Sequence, residues 1–436
     1  MNHVILFILG LAGFAFKFLF NVFLTRHLSS ALFGDFSVAL SVFNVVSAYM
    51  LFGTATSSIR FFSSYLKKNE SESASTYIAW NLRIVIVSSL IFLALLALFT
   101  TIIVGLHLFH IHDIREYHLV VYFLWIAPLG ALTLLLSSYL LCNRDVYLGT
   151  FFGTNSLYLF GILLLIPAIF IFNITLHSES LWLLMLCVVI IIATIQSFIL
   201  FFRMHDVLGQ SFSHVFNRTV SDQAHEKEWW GVSLRLILNQ LVYLIVSALD
   251  LILLEIIDPS KAVVGCYAAA LTVAGIIWVT QQALFQHVSP MISSLIETEK
   301  EKRELQVLIN KTQIANIALN AILIVAIATF ADPILRFFGP EYVTAKVPLW
   351  ILLGAGFITV LSTPAAKLLA YSGNEKSLLT VSILQVTTML ISGVILISLF
   401  SSIGAALAVM TTQLVRGISA IYFVRKKLGM RTMIFL

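Results

Sequence analysis

Across 436 residues the chain is 60% hydrophobic and only 11% charged, with 34 Phe and a mean hydropathy of +0.99. No water-soluble domain covers so much apolar surface, so an all-α polytopic membrane protein is expected. The formal net charge of +5 and pI near 9.0 follow from membrane topology and call for no nucleic-acid partner.

Apolar runs place twelve spans near residues 4–24, 34–56, 78–106, 119–141, 148–172, 181–202, 231–254, 264–288, 313–330, 348–369, 378–400 and 404–424. Each approaches the ~20 residues that cross a bilayer core. The first lacks a preceding basic region and a small-residue cleavage site, so a retained helix is expected and not a signal peptide. It carries Lys17 near its middle. A cation in hydrocarbon is costly unless it is paired or faces water, and it marks a pathway more often than a scaffold.

Gly10, Gly13, Lys17 and Asn21 recur at spacings of three or four along the first span, and Ser37, Ser41, Asn44 and Ser47 do so along the second. Residues so spaced share one helical face. Arg60 follows the second span. Arg83 lies near the cytoplasmic end of the third, where a long side chain reaches the headgroups. The third, fifth and sixth spans offer only scattered Ser, Thr and one Gln. His107, His110, His112 and His118 crowd the loop before the fourth span without a zinc-ligand spacing, so a solvated loop is expected and no metal. Cys142, Cys187 and Cys266 form neither a metal set nor a disulfide framework.

The polar stretch Arg203 to Trp230 is the longest loop. Beyond it the seventh span aligns Arg235, Asn239, Tyr243, Ser247 and Asp250 on one stripe, with Gln240 beside it, and the eighth adds Gly275, Gln282 and Gln286. Asp250 is the only acid deep in a span; it either pairs with a base, such as Lys17, or takes up a coupling ion. Lys367, near the cytoplasmic end of the tenth span, and Arg235 can snorkel. Arg416 lies too deep in the twelfth span to do so, which favours a paired or lumen-facing role.

The chain repeats itself: Ala31–Val42 aligns without gaps on Ala262–Val273, with five of twelve columns identical. Leu124-Trp125-Ile126 likewise recurs as Leu349-Trp350-Ile351. Six spans separate the copies, which is the parallel-repeat arrangement of alternating-access transporters. The expected organisation is a six-helix lobe at 1–202, a cytoplasmic linker at 203–230, a second six-helix lobe at 231–424 and a basic tail at 425–436. Placing the N-terminus inside puts 16 basic residues on the cytoplasmic side and five on the other, with five more in the spans, so both termini are expected in the cytoplasm. Small and polar residues often serve only to join helices. Four stripes on the repeat-related pairs one/two and seven/eight point further, to a water-filled cleft between the lobes. Phosphate-binding glycine loops and nucleophile triads are absent, and the largest external loop, 331–347, is short for a catalytic domain, so neither an enzyme nor a membrane glycosyltransferase or polymerase is expected.

Several stretches resemble the polysaccharide (O-antigen type) flippases of the multidrug/oligosaccharidyl-lipid/polysaccharide exporter superfamily. They are Leu32-Phe33-Gly34-Asp35-Phe36-Ser37, the run Gly53 to Arg60, Asp250 to Pro290, Leu335-Arg336-Phe337-Phe338-Gly339-Pro340-Glu341-Tyr342, Ala365 to Gly373 and Ile403-Gly404-Ala405-Ala406-Leu407-Ala408. Relatives often place Gly soon after the acid of the seventh span, where this chain has Leu251 to Glu255. The resemblance implies a MATE-like fold and translocation of a polyprenyl-diphosphate-linked oligosaccharide across the bacterial inner membrane for surface polysaccharide synthesis. It implies a monomer working among membrane lipids, with glycan polymerase and export machinery as partners, no cofactor, and H⁺ or Na⁺ as a coupling ion. In that reading Lys17 and Arg416 hold the diphosphate, Arg60 and Arg235 attract it, and Asn21, Asn44, Asn239, Gln240, Gln282 and Gln286 contact sugar. An ion-coupled drug or metabolite antiporter and a lipid II flippase of the same superfamily are the alternatives.

Overall fold

The computed structural model describes residues 2–108, 118–142, 146–208, 223–285, 292, 299–372, 374–430 and 432. Among them every regular element is a helix. The order is α1 (Asn2–His27), α2 (Ser30–Met50), α3 (Thr54–Lys68), α4 (Ser71–Leu108), α5 (His118–Cys142) and α6 (Val146–Thr150). A π-helical turn at Phe151–Asn155 leads into α7 (Ser156–Phe170), followed by α8 (Ser178–Leu208), α9 (Gln223–Ile257), α10 (Lys261–Phe285) and α11 (Glu299–Thr329). A short α12 (Ala331–Phe338) and a 3-10 turn (Pro340–Ala345) precede α13 (Lys346–Tyr371) and α14 (Glu375–Leu428).

Among the described residues nine helices are long and apolar enough to cross a membrane, and a tenth crossing is formed if Tyr147–Gly153 and Ser156–Phe170 make one bent span. At 54 residues α14 is more than twice the needed length, and Ser401 breaks it with φ 53° and ψ −129°. The Ser401 hydroxyl hydrogen-bonds the Asp258 carboxylate at this break. A Cβ on Gly404 would lie 1.9 Å from the Leu396 carbonyl oxygen, so only glycine fits where the chain doubles back. With α14 taken as two spans, the bent pair as one and α9 as the seventh, the segments are the twelve expected. This is a multi-pass membrane protein.

Contacts divide the chain into two compact units, one of residues 1–37 with 242–436 and one of residues 38–241. The division runs inside α2 and α9. Local bonds account for both positions. The Asn21 amide donates to Thr272 Oγ1 at 2.9 Å, and Arg26 donates to the carbonyls of Arg336 and Phe337 at 2.8 Å each, which fastens α1 to the later helices. The first half of α9 is held in the other unit by Trp229 Nε1 donating to the Tyr65 hydroxyl at 3.0 Å and by Ser233 donating to Ser57 at 2.7 Å. The Trp229 ring also stands 5.1 Å from Tyr77 and 5.3 Å from Trp80, within the range of aromatic packing.

In the 38–241 unit these aromatics cover a buried neutral network. Asn81 donates to Ser58 at 3.0 Å and to Tyr139 at 2.9 Å, Ser57 shares a 2.8 Å hydrogen bond with Tyr77, and Gln196 donates to Ser137 at 2.7 Å. Hydroxyls and amides that find one another in this way join helices where lipid offers no competing partner.

Candidate functional site

Pro364 sets up the candidate site. Inside α13 it has no N–H for the carbonyl four residues earlier, so the Val360 oxygen is left free. Buried amides of α11 take it: Gln313 Nε2 at 2.9 Å and Asn316 Nδ2 at 3.5 Å. The bonds continue in one direction, with Asn316 donating to Gln313 Oε1 at 3.4 Å, Asn320 to Asn316 Oδ1 at 2.8 Å, and Thr280 of α10 to Asn320 Oδ1 at 2.7 Å. Thr363 donates to Gln281 Oε1 at 2.7 Å, which fixes α10 against α13 one residue before Gln282.

This scaffold positions a pair of cations. Lys367, one helical turn beyond Thr363, donates to Gln282 Oε1 at 3.2 Å. Arg416 of α14 reaches Gln413 Oε1 at 3.4 Å. Both are half-buried. Behind them Phe285, Ala365, Leu368, Leu369, Ala420 and Val424 form a buried apolar cluster that holds the three helices in place. Two like charges set beside amide groups on rigid helices make a site suited to an anion with more than one negative oxygen.

Asp250 is the one buried carboxylate in a span among the described residues, at 4% exposure. Its Oδ2 accepts the Tyr267 hydroxyl at 3.0 Å, and its Oδ1 has no hydrogen-bond partner. Its partner is therefore this phenol and not Lys17. Lys17 is half-buried on α1. Asn21 is buried and uses its amide on Thr272, as an interhelical bond. Asn44 is exposed, and Arg60 is exposed with its guanidinium 5.4 Å from the Phe61 ring centre. Gln286 and the side chains of Arg235, Asn239 and Gln240 lie outside the described residues, as do His110, His112 and the side chains of His107 and His118. Among the described residues no group of three His, Cys, Asp or Glu is placed to hold a metal ion.

No family model matches the sequence, and no curated protein matches it. Solved structures do resemble it. A multidrug resistance MATE family transporter of the MOP superfamily in its inward-facing conformation aligns with TM-score 0.79 at 12% identity, covering 98% of each chain. The chain has a MATE-like fold. An outward-facing structure of a multidrug resistance MATE family transporter aligns at TM-score 0.66 and 12% identity, covering 98% of this chain and 95% of the other. The lipid II flippase MurJ, in an inward closed conformation, aligns at 0.65 and 15% identity, covering 97% of this chain and 87% of its own.

Within this MATE-like fold the structure brings Gln282 and Arg416 to one place, as the sequence grouping allowed, and adds Lys367 and Gln413. It also reveals the Gln313, Asn316 and Asn320 stripe of α11, which sequence reasoning passed over. Its spacing of three and four was the available signal.

Proposed function

We propose that this protein is a flippase that moves a polyprenyl-diphosphate-linked oligosaccharide from the inner to the outer leaflet of a bacterial cytoplasmic membrane by alternating access, without covalent chemistry. The observation that carries the reading is two cations held against carboxamides, Lys367 on Gln282 and Arg416 on Gln413, on helices that share one buried apolar cluster. A diphosphate supplies several negative oxygens for guanidinium and ammonium donors, while carboxamides suit sugar hydroxyls. The lipid tail stays in the bilayer. Lys17 adds a third cation within the same compact unit, and Arg60 and Arg235 attract the headgroup from the cytoplasm. Asn44, Asn239, Gln240 and Gln286 complete the proposed sugar contacts, whereas Asn21, buried with its amide on Thr272, joins helices instead. The protein acts as a monomer beside glycan polymerase and export machinery, with both termini in the cytoplasm.

The buried, half-partnered Asp250 favours a second reading, an ion-coupled antiporter of organic cations. Proteoliposomes separate the two. The flippase reading expects a fluorescent short-chain polyprenyl-diphosphate oligosaccharide to become accessible in the opposite leaflet only with the protein present, and to outcompete its monophosphate analogue. Transport of an organic cation with no movement of the diphosphate lipid would instead establish the antiporter. Orientation is tested separately. A cysteine introduced at Ser71 should react with an impermeant thiol reagent only after the membrane is opened, and one at Ser178 should react in intact spheroplasts.

A further inference from the structure

Gly34 and Gly265 occupy the same column of the internal repeat, and the fold brings them together. A Cβ on Gly34 would lie 2.8 Å from the Gly265 nitrogen and 2.9 Å from the Lys261 oxygen; one on Gly265 would lie 1.9 Å from the Ser30 oxygen. The beginnings of α2 and α10 therefore cross backbone to backbone, and any side chain at either glycine drives them apart.

Ion pairs surround this crossing. Lys261 Nζ stands 3.4 Å from Asp35 Oδ1 and 3.5 Å from Glu255 Oε1, so one ammonium serves two carboxyls borne on α2 and α9. Those carboxyls are close enough to repel when both are ionised. The Glu255 side chain is only 9% exposed, and its Oε2 has no hydrogen-bond partner. Two ionised acids thus leave an excess negative charge and an orphaned oxygen. A single proton removes both, because a carboxyl O–H on one acid donates to the other.

We propose that Asp35, Glu255 and Lys261 form a proton site that holds the α2–α10 crossing closed, as a gate at the end of the bundle that the basic-residue bias places outside. The proposal rests on the transporter reading above. The proton binds a carboxylate oxygen from the external medium and stays while the gate is shut. Its loss leaves two negative charges on one ammonium and favours separation of the helices. The closed form binds more protons than the open one, so external acid stabilises closure and external alkali favours opening. Among the described residues, Arg26 is engaged with the carbonyls of Arg336 and Phe337, Asp258 with Ser401, and Lys346 with Asp332 at 3.0 Å. Glu341 lines, with Ser30, Ala262 and Cys266, a cavity of about 310 Å³ beside the crossing.

Cys266, adjacent to Gly265 and buried, is a native reporter. In a Cys142→Ser, Cys187→Ser background, spheroplasts are labelled at Cys266 with a membrane-impermeant maleimide at about pH 6 and about pH 8. Each rate is divided by that of the same protein carrying Glu255→Gln, which fixes the neutral form; the division removes the thiol's own ionisation. The ratio should be near one in acid and rise about threefold or more in alkali. A ratio that stays flat overturns the proton site. Gly265→Ala should expose Cys266 at both pH values, and Gly34→Ala carries the same test if the first variant does not accumulate. Continued protection in whichever accumulates overturns the crossing as the gate. The labelling needs no substrate. A flat ratio with lipid export intact overturns the latch alone, whereas pH-dependent labelling without export supports the latch and overturns the flippase reading.

Discussion

The two compact units bury polar groups of different kinds. In residues 38–241 the buried polar set is neutral: among the described residues no Lys, Arg, Asp or Glu there is buried. Its Ser, Asn, Gln and Tyr side chains bond one another, and none of these groups carries a charge near neutral pH. Residues 1–37 with 242–436 bury a neutral chain of amides and hydroxyls too, but add to it the half-buried Lys367 and Arg416, the buried Asp250 and the Asp35–Glu255–Lys261 group. Charge in a membrane interior is expensive, and it responds to protons and to anions in a way that hydroxyls and amides do not. The difference separates a unit fastened by its polar groups from one whose polar groups can change state.

The largest effects should come from the charged unit. Arg416→Ala and Lys367→Ala should each lower the flipping rate by roughly tenfold to a hundredfold, the equivalent of a charge-assisted hydrogen bond, with the unfolding midpoint in detergent little changed. Lys17→Ala should also stop export, and Lys17→Arg should keep part of it because the charge persists. Asn81→Ala in the neutral unit should do the reverse, lowering stability by about 1–2 kcal/mol while the rate per folded molecule holds. A loss of rate in Asn81→Ala as deep as that in Arg416→Ala would erase the distinction between the units.

Composition and periodicity made the class, the spans and the repeat legible, because lipid demands ~20 apolar residues and paired backbone groups at every crossing. Individual partners were less legible. Sequence showed Asp250 and Lys17 as the deep acid and base, but the pairing of Asp250 depends on where α10 places Tyr267, which is a tertiary matter. Lys367 read as a snorkelling residue near a helix end; only the packing of α10 against α13 brings Gln282 to it. The division inside α2 and α9 was hidden for a similar reason. Span length does not reveal that Trp229 and Ser233 commit one half of α9 to the aromatic and hydroxyl network around Tyr65 and Ser57.

A middle-sized effect belongs to Asp250. Asparagine preserves an oxygen for the Tyr267 hydroxyl, so Asp250→Asn should fold with nearly unchanged stability while removing the dependence of transport on a proton or sodium gradient. Tyr267→Phe leaves both carboxylate oxygens without a partner and should alter the gradient dependence without abolishing it. Unchanged rate and unchanged gradient dependence in Asp250→Asn would move the coupling ion away from this residue, and the charged unit would then act through its cations and the Asp35–Glu255 pair.

The smallest effect tests whether the charged unit also contains purely structural polar bonds. Gln313 donates to the Val360 carbonyl because Pro364 cannot. Gln313→Leu leaves that oxygen less well satisfied and should cost about 1–2 kcal/mol. Pro364→Ala supplies an N–H four residues on, which straightens α13 and gives Val360 a partner within its own helix. The combined variant should then be more stable than the sum of the two single changes predicts, by about 1 kcal/mol, because each change alters the need for the other. Simple additivity would mean that the Gln313 bond contributes little and that the α11 amide stripe is free to act on a ligand. Coupling of the expected sign would instead place Gln313, Asn316 and Asn320 with the fastening network of the neutral unit, and confine the responsive chemistry to the charged residues.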